Sequence, residues 1–333
     1  MLRTVHPPRP LARPLLAVGA AGVLALVSAC GSGDTEEAAD TGGGEFPITV
    51  EHFRGTTEIE SPPETVVALD SSYVDAAVSL ELDVVGRVVN TEGEELPDYL
   101  GDEARTYAGD AEVVGLLEEP DLAAIAELEP DLIVSADVRH QDIYDQLSEI
   151  APTVFSETTG ATWKDNIRLL AEATGRQDLA EQRIGAYEER AEELGSAITE
   201  ANGGEAPTLS ITRFVGEPSV RLYSSASFPG LVQQDVGLPR PEGAPDAEDE
   251  IMVDLSEEEV LDVDADHIVV GVWDDGNGES EEVAADFRSN PLWEQLEGEQ
   301  HDVSDEIWFT SVSLQGAEGI LDDLAEIHGV DEE

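Results

Sequence analysis

Lysine is all but missing from this chain of 333 residues: Lys164 is the only one, and Lys+Arg total 16 against 75 Asp+Glu, a formal net charge of -59. That scarcity removes whole mechanisms. A phosphate-binding loop needs Gly-Lys-Ser/Thr, a Schiff-base enzyme needs a buried lysine and a serine/lysine hydrolase needs Ser-x-x-Lys. Lys164 stands in Ala-Thr-Trp-Lys-Asp and meets none of these patterns. Basic charge is also too sparse to track nucleic acid or to hold an anionic bilayer surface. Cysteine occurs once, at Cys30, so no intrachain disulfide forms and packing must supply stability. The chain has no Gly-x-Ser-x-Gly elbow, no glycine-rich dinucleotide loop after a strand and no His-Glu-x-x-His. His52, His140, His267, His301 and His328 are scattered, without the short spacing of a metal site, and no metal site is expected.

What is present is an ordinary core under an acidic surface. Hydrophobic residues make up 41% of the chain, which excludes global disorder, and the length allows two domains of common size. Abundant carboxylates with so little lysine fit a protein working in high salt, where the Debye length shrinks to a few Å. Salt-dependent stability is therefore expected.

The first 13 residues hold Arg3, Arg9 and Arg13 and no acid, and an apolar run from Pro14 to Ala29 follows. This is the layout of a signal peptide, and the run is shorter than the roughly 20 residues of a spanning helix. Val27-Ser28-Ala29-Cys30-Gly31 is similar to a bacterial lipobox, so Cys30 is the expected lipidation site and the protein is expected on the extracytoplasmic face of the cell membrane. Residues 30–45 lack any large apolar side chain and read as a flexible acidic, glycine-rich tether. The folded part is expected from Phe46.

From there apolar strand-like runs at 65–69, 84–89, 132–135 and 153–155 alternate with helical stretches at 73–82, 121–128 and 163–174. Runs at 209–214, 220–223 and 267–273, with a closing helix around Leu314 to Leu324, repeat the style. Alternation of this kind argues for an α/β protein with parallel sheets covered on both faces. Between the two sets, Ala180, Ile184, Tyr187, Ala191, Leu194 and Ile198 form a stripe at helical spacing, predicting one uninterrupted helix over 178–199. The expected architecture is two Rossmann-like lobes with mostly parallel central sheets, 46–160 and 205–330, joined through a helical segment at 161–204.

Several segments resemble the iron-siderophore substrate-binding lipoproteins of ABC importers. Val113-Val-Gly-Leu followed by Asp121-Leu-Ala-Ala-Ile-Ala-Glu-Leu-Glu-Pro-Asp-Leu-Ile-Val134 is similar to that family's most characteristic stretch. Residues 55–80 are similar to its entry strand and first helix. Ser227-Phe-Pro-Gly with Asp235-Val-Gly-Leu-Pro-Arg-Pro241, Asp264-Ala-Asp-His-Ile-Val-Val270, Asn290-Pro-Leu-Trp293 and Gly316-Ala-Glu-Gly-Ile-Leu-Asp-Asp-Leu324 match later blocks in order. The resemblance covers about 46–328. It implies a cleft between two lobes, a ferric siderophore as cargo, limited closure on binding, and delivery to a permease by a monomer that is not an enzyme and carries no resident cofactor. Haem, cobalamin or another metal chelate are alternative cargoes of the same architecture. A secreted acidic hydrolase is the alternative of another class, since so many carboxylates always place some pair at glycosidase spacing, and a tethered sensor or adhesin without transport is a third.

Ligands of open α/β sheets meet the loops beyond the carboxyl ends of strands. That rule selects Asp70 to Tyr73, Asp137 to His140, Arg213 with Phe214, Tyr223 to Ser225, and Trp273. A ferric chelate needs flat apolar walls and a few guanidinium or hydroxyl donors. Arg139, Arg213, Tyr73 and Trp308 are the first candidates, followed by Tyr223, Trp273, Ser72, Phe214 and His140. With two or three arginines in reach, a ferric hydroxamate or mixed-type chelate fits better than a strongly anionic triscatecholate. The family's permease-docking acids fall at Ala123 and near Leu231, both apolar, so Glu118, Glu119 and Asp235 are the expected substitutes.

Overall fold

In the computed structural model, which describes residues 46–247 and 250–330, the strand-like runs pair into two main sheets that share no strand. The leader, Cys30 and the tether lie outside the described residues. The first lobe opens with a hairpin of β1 (Ile48–His52) and β2 (Gly55–Ile59) and continues with β3 (Thr65–Ala68), β4 (Asp83–Val89), β5 (Glu112–Leu116), β6 (Glu119–Pro120), β7 (Leu132–Ala136) and β8 (Thr153–Ser156). Its sheet has the order β6-β5-β4-β3-β7-β8, parallel throughout except for the terminal β5–β6 pair. Its helices are α1 (Ser71–Ser79), α2 (Gly101–Tyr107), α3 (Leu122–Glu127), α4 (Asp137–His140), α5 (Tyr144–Ser148) and α6 (Trp163–Thr174). Every residue of β7 and β8 is buried, the signature of a parallel sheet covered on both faces.

The second lobe holds β9 (Leu209–Phe214), β10 (Val220–Tyr223), β11 (Met252–Leu255), β12 (His267–Val272) and β13 (Glu299–Asp302), in the order β11-β10-β9-β12-β13. This sheet is mixed where a mostly parallel one was expected: β9–β10 and β10–β11 are antiparallel, β9–β12 and β12–β13 parallel. The reason is chain length. Only 215–219 separate β9 from β10, far short of the dozen or so residues a parallel crossover needs, so the strand folds back through Gly216, whose φ is 78°.

The rod, α7 (Gln177–Ala201), runs for 25 residues without a break, or about 38 Å at 1.5 Å per residue. Its predicted stripe of Ala180, Ile184, Tyr187, Ala191, Leu194 and Ile198 is buried in a core cluster that takes residues from both lobes. Against it pack α8 (Phe228–Val236) and α10 (Leu314–His328), while α9 (Glu279–Arg288) covers the far face of the second sheet. Arg183 bonds Glu103 and Glu81 of the first lobe, at 2.9 and 3.2 Å, while Arg190, two turns on, pairs with Glu318 and Asp322 of α10. A Cβ at Gly195 would sit 1.8 Å from the Val236 carbonyl oxygen, so only glycine lets the end of α8 come this close. Lys164 of α6 joins Glu188 at 2.8 Å and Asp235 of α8 at 2.9 Å.

The lobes also meet directly. Gln315 donates to the Asp75 carbonyl at 3.0 Å, tying the start of α10 to α1. No helix among the described residues is long and apolar enough to cross a membrane.

Candidate ligand-binding site

In the first lobe β3 delivers Asp70 to the head of α1, where its carboxylate accepts from Ser72 N at 2.9 Å and Ser72 Oγ at 2.6 Å, capping the helix. The other carboxylate oxygen accepts from Arg139 Nε at 2.9 Å, brought there by α4 at the end of β7. Asp70 is buried, but the Arg139 side chain is 35% exposed, and its two Nη groups make no hydrogen bond among the described residues. Arg139 therefore offers an open pair of donors held by its Nε. His140 is buried with Nε2 2.7 Å from the Leu117 carbonyl and Nδ1 2.7 Å from Ser135 Oγ. The carbonyl requires the proton on Nε2, so Nδ1 accepts from the serine. Burial holds this imidazole below its usual pKa, and with both nitrogens engaged it has none free to ligate a haem iron.

In the second lobe β9 carries Arg213 and Phe214 on opposite faces, as consecutive strand residues must be. Arg213 donates through Nε and Nη2 to the two oxygens of Asp305, at 2.6 and 2.7 Å, and through Nη1 to Tyr223 at 3.3 Å, with its guanidinium 5.2 Å from the Phe309 ring centre. Phe214 is fully buried against Phe287 and Trp293. Tyr223 is buried, its ring on Phe309. Trp308 is also fully buried, its Nε1 donating to Asp323 at 2.7 Å. Tyr73 lies in the core as well, and burial pushes its phenol pKa up. Trp273, just beyond β12, is 42% exposed, the most solvent-accessible of the expected aromatics.

The strand-end rule thus brings Arg139, Ser72, Arg213, Tyr223 and Trp273 to the carboxyl ends of their strands, while Phe214, Trp308, Tyr73 and His140 are packed inside. Asp305 and Phe309, which fix Arg213, were not foreseen; the chain has too many acids for sequence alone to choose the partner. Of the expected docking acids, Glu118 and Glu119 are exposed around the β5–β6 turn. Asp235 is engaged by Tyr187 at 2.9 Å and by Lys164, so the rod consumes its carboxylate. A trough of about 850 Å³ along α7, lined by Gly195, Ser196, Val236 and Gly237, touches only Asp235 of the expected residues.

Where the lobes meet, Asp75 is fully buried, with Tyr99 donating to it at 2.7 Å. Burial pushes its carboxyl up to about 7; the Tyr99 and Ser313 hydrogen bonds oppose this, and the charges of Asp70 and Glu306 add to it. Glu306 is raised too, by burial and then by Asp98, Glu94 and Asp305. The junction therefore brings acids from both lobes within electrostatic reach of one another.

Residues 66–301 match the family described as periplasmic binding protein. The chain is 33% identical over 310 residues to the probable siderophore-binding lipoprotein YfiY of Bacillus subtilis, covering 90% of this chain and 93% of that protein. It is 30% identical to the achromobactin-binding periplasmic protein of Dickeya dadantii, over 80% of this chain and 87% of the other. Among solved structures, Staphylococcus aureus SirA complexed with staphyloferrin B superposes with a TM-score of 0.76 at 26% identity, covering 86% of this chain and 100% of SirA. With two sheets bridged by one rod, and a match that runs through both lobes, the chain belongs to the periplasmic binding protein family.

Proposed function

We propose that this protein is a lipid-anchored, extracytoplasmic substrate-binding protein that captures a ferric siderophore between its lobes and delivers it to the permease of an ABC importer. The observation that carries this reading is the pair of arginines at strand ends in two different sheets, each fixed by an aspartate, in a chain whose relatives are named for siderophore binding. Arg139 would offer its free Nη groups to chelate oxygens, Ser72 a hydroxyl and Trp273 a flat wall. The rod, pinned to the first lobe at Arg183 and to α10 at Arg190, favours small lobe movements over wide hinge closure. Glu118 and Glu119, exposed around the β5–β6 turn, would meet the permease, and Cys30 would carry the lipid.

The charge of the site bears on the cargo. Each arginine already faces one carboxylate, so the pairs are close to neutral before any ligand arrives, and a strongly anionic triscatecholate would find little uncompensated positive charge. A carboxylate, hydroxamate or mixed chelate fits better. Titration of the purified chain with ferric citrate, a ferric trihydroxamate, a ferric triscatecholate, haem and cobalamin, followed by tryptophan quenching and native mass spectrometry, tests both points. Saturable one-to-one binding of a ferric chelate is expected. Retention of haem or cobalamin alone, or turnover of a chromogenic ester or glycoside, would overturn the assignment, and preferential triscatecholate binding would overturn the charge argument.

A further inference from the structure

At the opposite end of the second sheet from the arginines, three of the six histidines meet. Strands β12 and β13 run parallel with His267 opposite Glu299 and Val269 opposite His301. Because strand side chains alternate, His267, Glu299 and His301 project from the same face. His267 Nδ1 lies 3.0 Å from His301 Nε2. One ligating atom from each of the three residues falls within 4.8 Å of the others. His328, in the last turn of α10, sets its ring against His267 with centroids 4.4 Å apart, and its buried Nε2 has no hydrogen-bond partner among the described residues. His267 opens β12 and Trp273 follows its end, so the cluster and the ligand-facing loops are separated by the length of the strand, roughly 17 Å.

A single N–H···N bond between His267 and His301 explains their contact but not the convergence of Glu299 and the third ring. A shared ion explains all of it. Two imidazole nitrogens bound at about 2.0–2.1 Å to a tetrahedral zinc ion lie roughly 3.3 Å apart, close to the separation in place here. Two imidazoles with one carboxylate and an open position for water are a donor set for zinc, nickel or copper, whereas magnesium and calcium prefer oxygen ligands alone. The cluster is half exposed, with Glu299 at the surface, so an ion has a path in. We propose that His267, Glu299 and His301 form a binding site for a divalent transition-metal ion, separate from the siderophore cleft, with His328 orienting the ring of His267. The bound ion would fasten the edge strand β13 to β12 beside the end of α10.

The test is calorimetric titration of Zn²⁺ into the full chain, purified without a histidine tag, in 1 M NaCl with excess Mg²⁺ to occupy the acidic surface. One Zn²⁺ per chain is expected, with a rise in Tm. Affinity should fall more than about 100-fold in His301→Ala and in Glu299→Gln and by about 10–100-fold at most in His328→Ala, the usual contribution of a partner outside the ligand set. The exposed Glu299→Gln keeps the test valid should His301→Ala fold poorly. Arg139→Ala should leave Zn²⁺ binding unchanged. Several weak sites, displacement by Mg²⁺, or equal affinity in wild type, His301→Ala and Glu299→Gln would each overturn the proposal and assign the binding to carboxylates in general.

Discussion

The two lobes solve one problem in two ways. Each brings an arginine to the carboxyl end of a central strand and fixes it with an aspartate from beyond another strand, the adjacent β3 in the first lobe and β13, two strands away, in the second, yet the results differ in availability. In the first lobe Asp70 spends one oxygen on capping α1 and holds Arg139 by Nε alone, leaving a 35% exposed side chain. In the second lobe Asp305 clamps Arg213 at two points, Tyr223 takes a third donor, and both partners' side chains are about nine-tenths buried. The difference teaches that an arginine in the right place is not yet a ligand contact. What decides is how many donors its own carboxylate leaves free.

The comparison breaks most sharply on paired substitutions. Arg213→Ala strands the Asp305 carboxylate on a side chain only 10% exposed, and removal of one partner from such a pair costs about 3–5 kcal/mol. Arg139→Ala also uncovers a buried carboxylate, but Asp70 keeps its two Ser72 donors and loses a single hydrogen bond, so the cost should be smaller, about 1–3 kcal/mol. The order reverses for ligand affinity: Arg139→Ala should weaken ferric-chelate binding roughly 10- to 100-fold, the worth of one or two charge-assisted hydrogen bonds. Urea unfolding and tryptophan quenching on the same two variants measure this. Equal stability losses, or unchanged affinity in Arg139→Ala, would mean that the two pairs are equivalent after all.

How much of this could be read from sequence follows from where the signal lies. The central strands are apolar runs and were legible to within a residue or two, as was the stripe of α7. Strand β13 reads Glu-Gln-His-Asp, with no apolar residue, and is a strand only because β12 pairs with it, so no pattern announces it. The same holds for the histidine cluster, whose members lie 34 and 27 positions apart and meet only through strand register and the end of α10. Arg139 and Arg213 were selected correctly as strand-end residues; their aspartates were not, because one among 75 acids cannot be picked without coordinates. Phe214 and Trp308 were placed at the ligand by chemistry and went to the core by geometry, Phe214 through strand alternation.

The junction of the lobes at Asp75 gives the next largest effect, and its sign is opposite to that of an ordinary salt-bridged acid. Folding raises the Asp75 carboxyl from the usual carboxylate range to about 7, so between about 4 and 7 the folded protein binds a proton that the unfolded chain does not. Stability therefore falls as pH rises through that window. Asp75→Asn keeps an acceptor for Tyr99 and removes the charge. It should stabilise the protein by on the order of a few kcal/mol at pH 8 and by little at pH 4. Denaturant midpoints at the two pH values are the measurement. A variant equally or more destabilised at pH 8 would show that the ionised carboxylate is accommodated, and that the lobes are not held together across a neutral acid.

The smallest effect concerns what couples the unlike halves. Lys164 ties the first lobe's α6 directly to Asp235 on the second lobe's α8 and to Glu188 of the rod, and lies 5.4 Å from the Trp163 ring centre and 5.1 Å from that of Tyr187. Its side chain is only 18% exposed, so salt screens this charge less than it screens the acidic surface. Lys164→Met keeps the aliphatic stem and removes the ammonium, at an expected cost of about 1 kcal/mol. Raising NaCl from low concentration to 1 M should lift Tm in wild type and variant alike, because it relieves repulsion within a net charge of -59. The gap between the two curves should persist. If the gap closes in 1 M salt, the lysine is one more surface ion pair. If neither curve moves, the acidic surface carries no net strain, and the excess of carboxylates serves something other than life in brine.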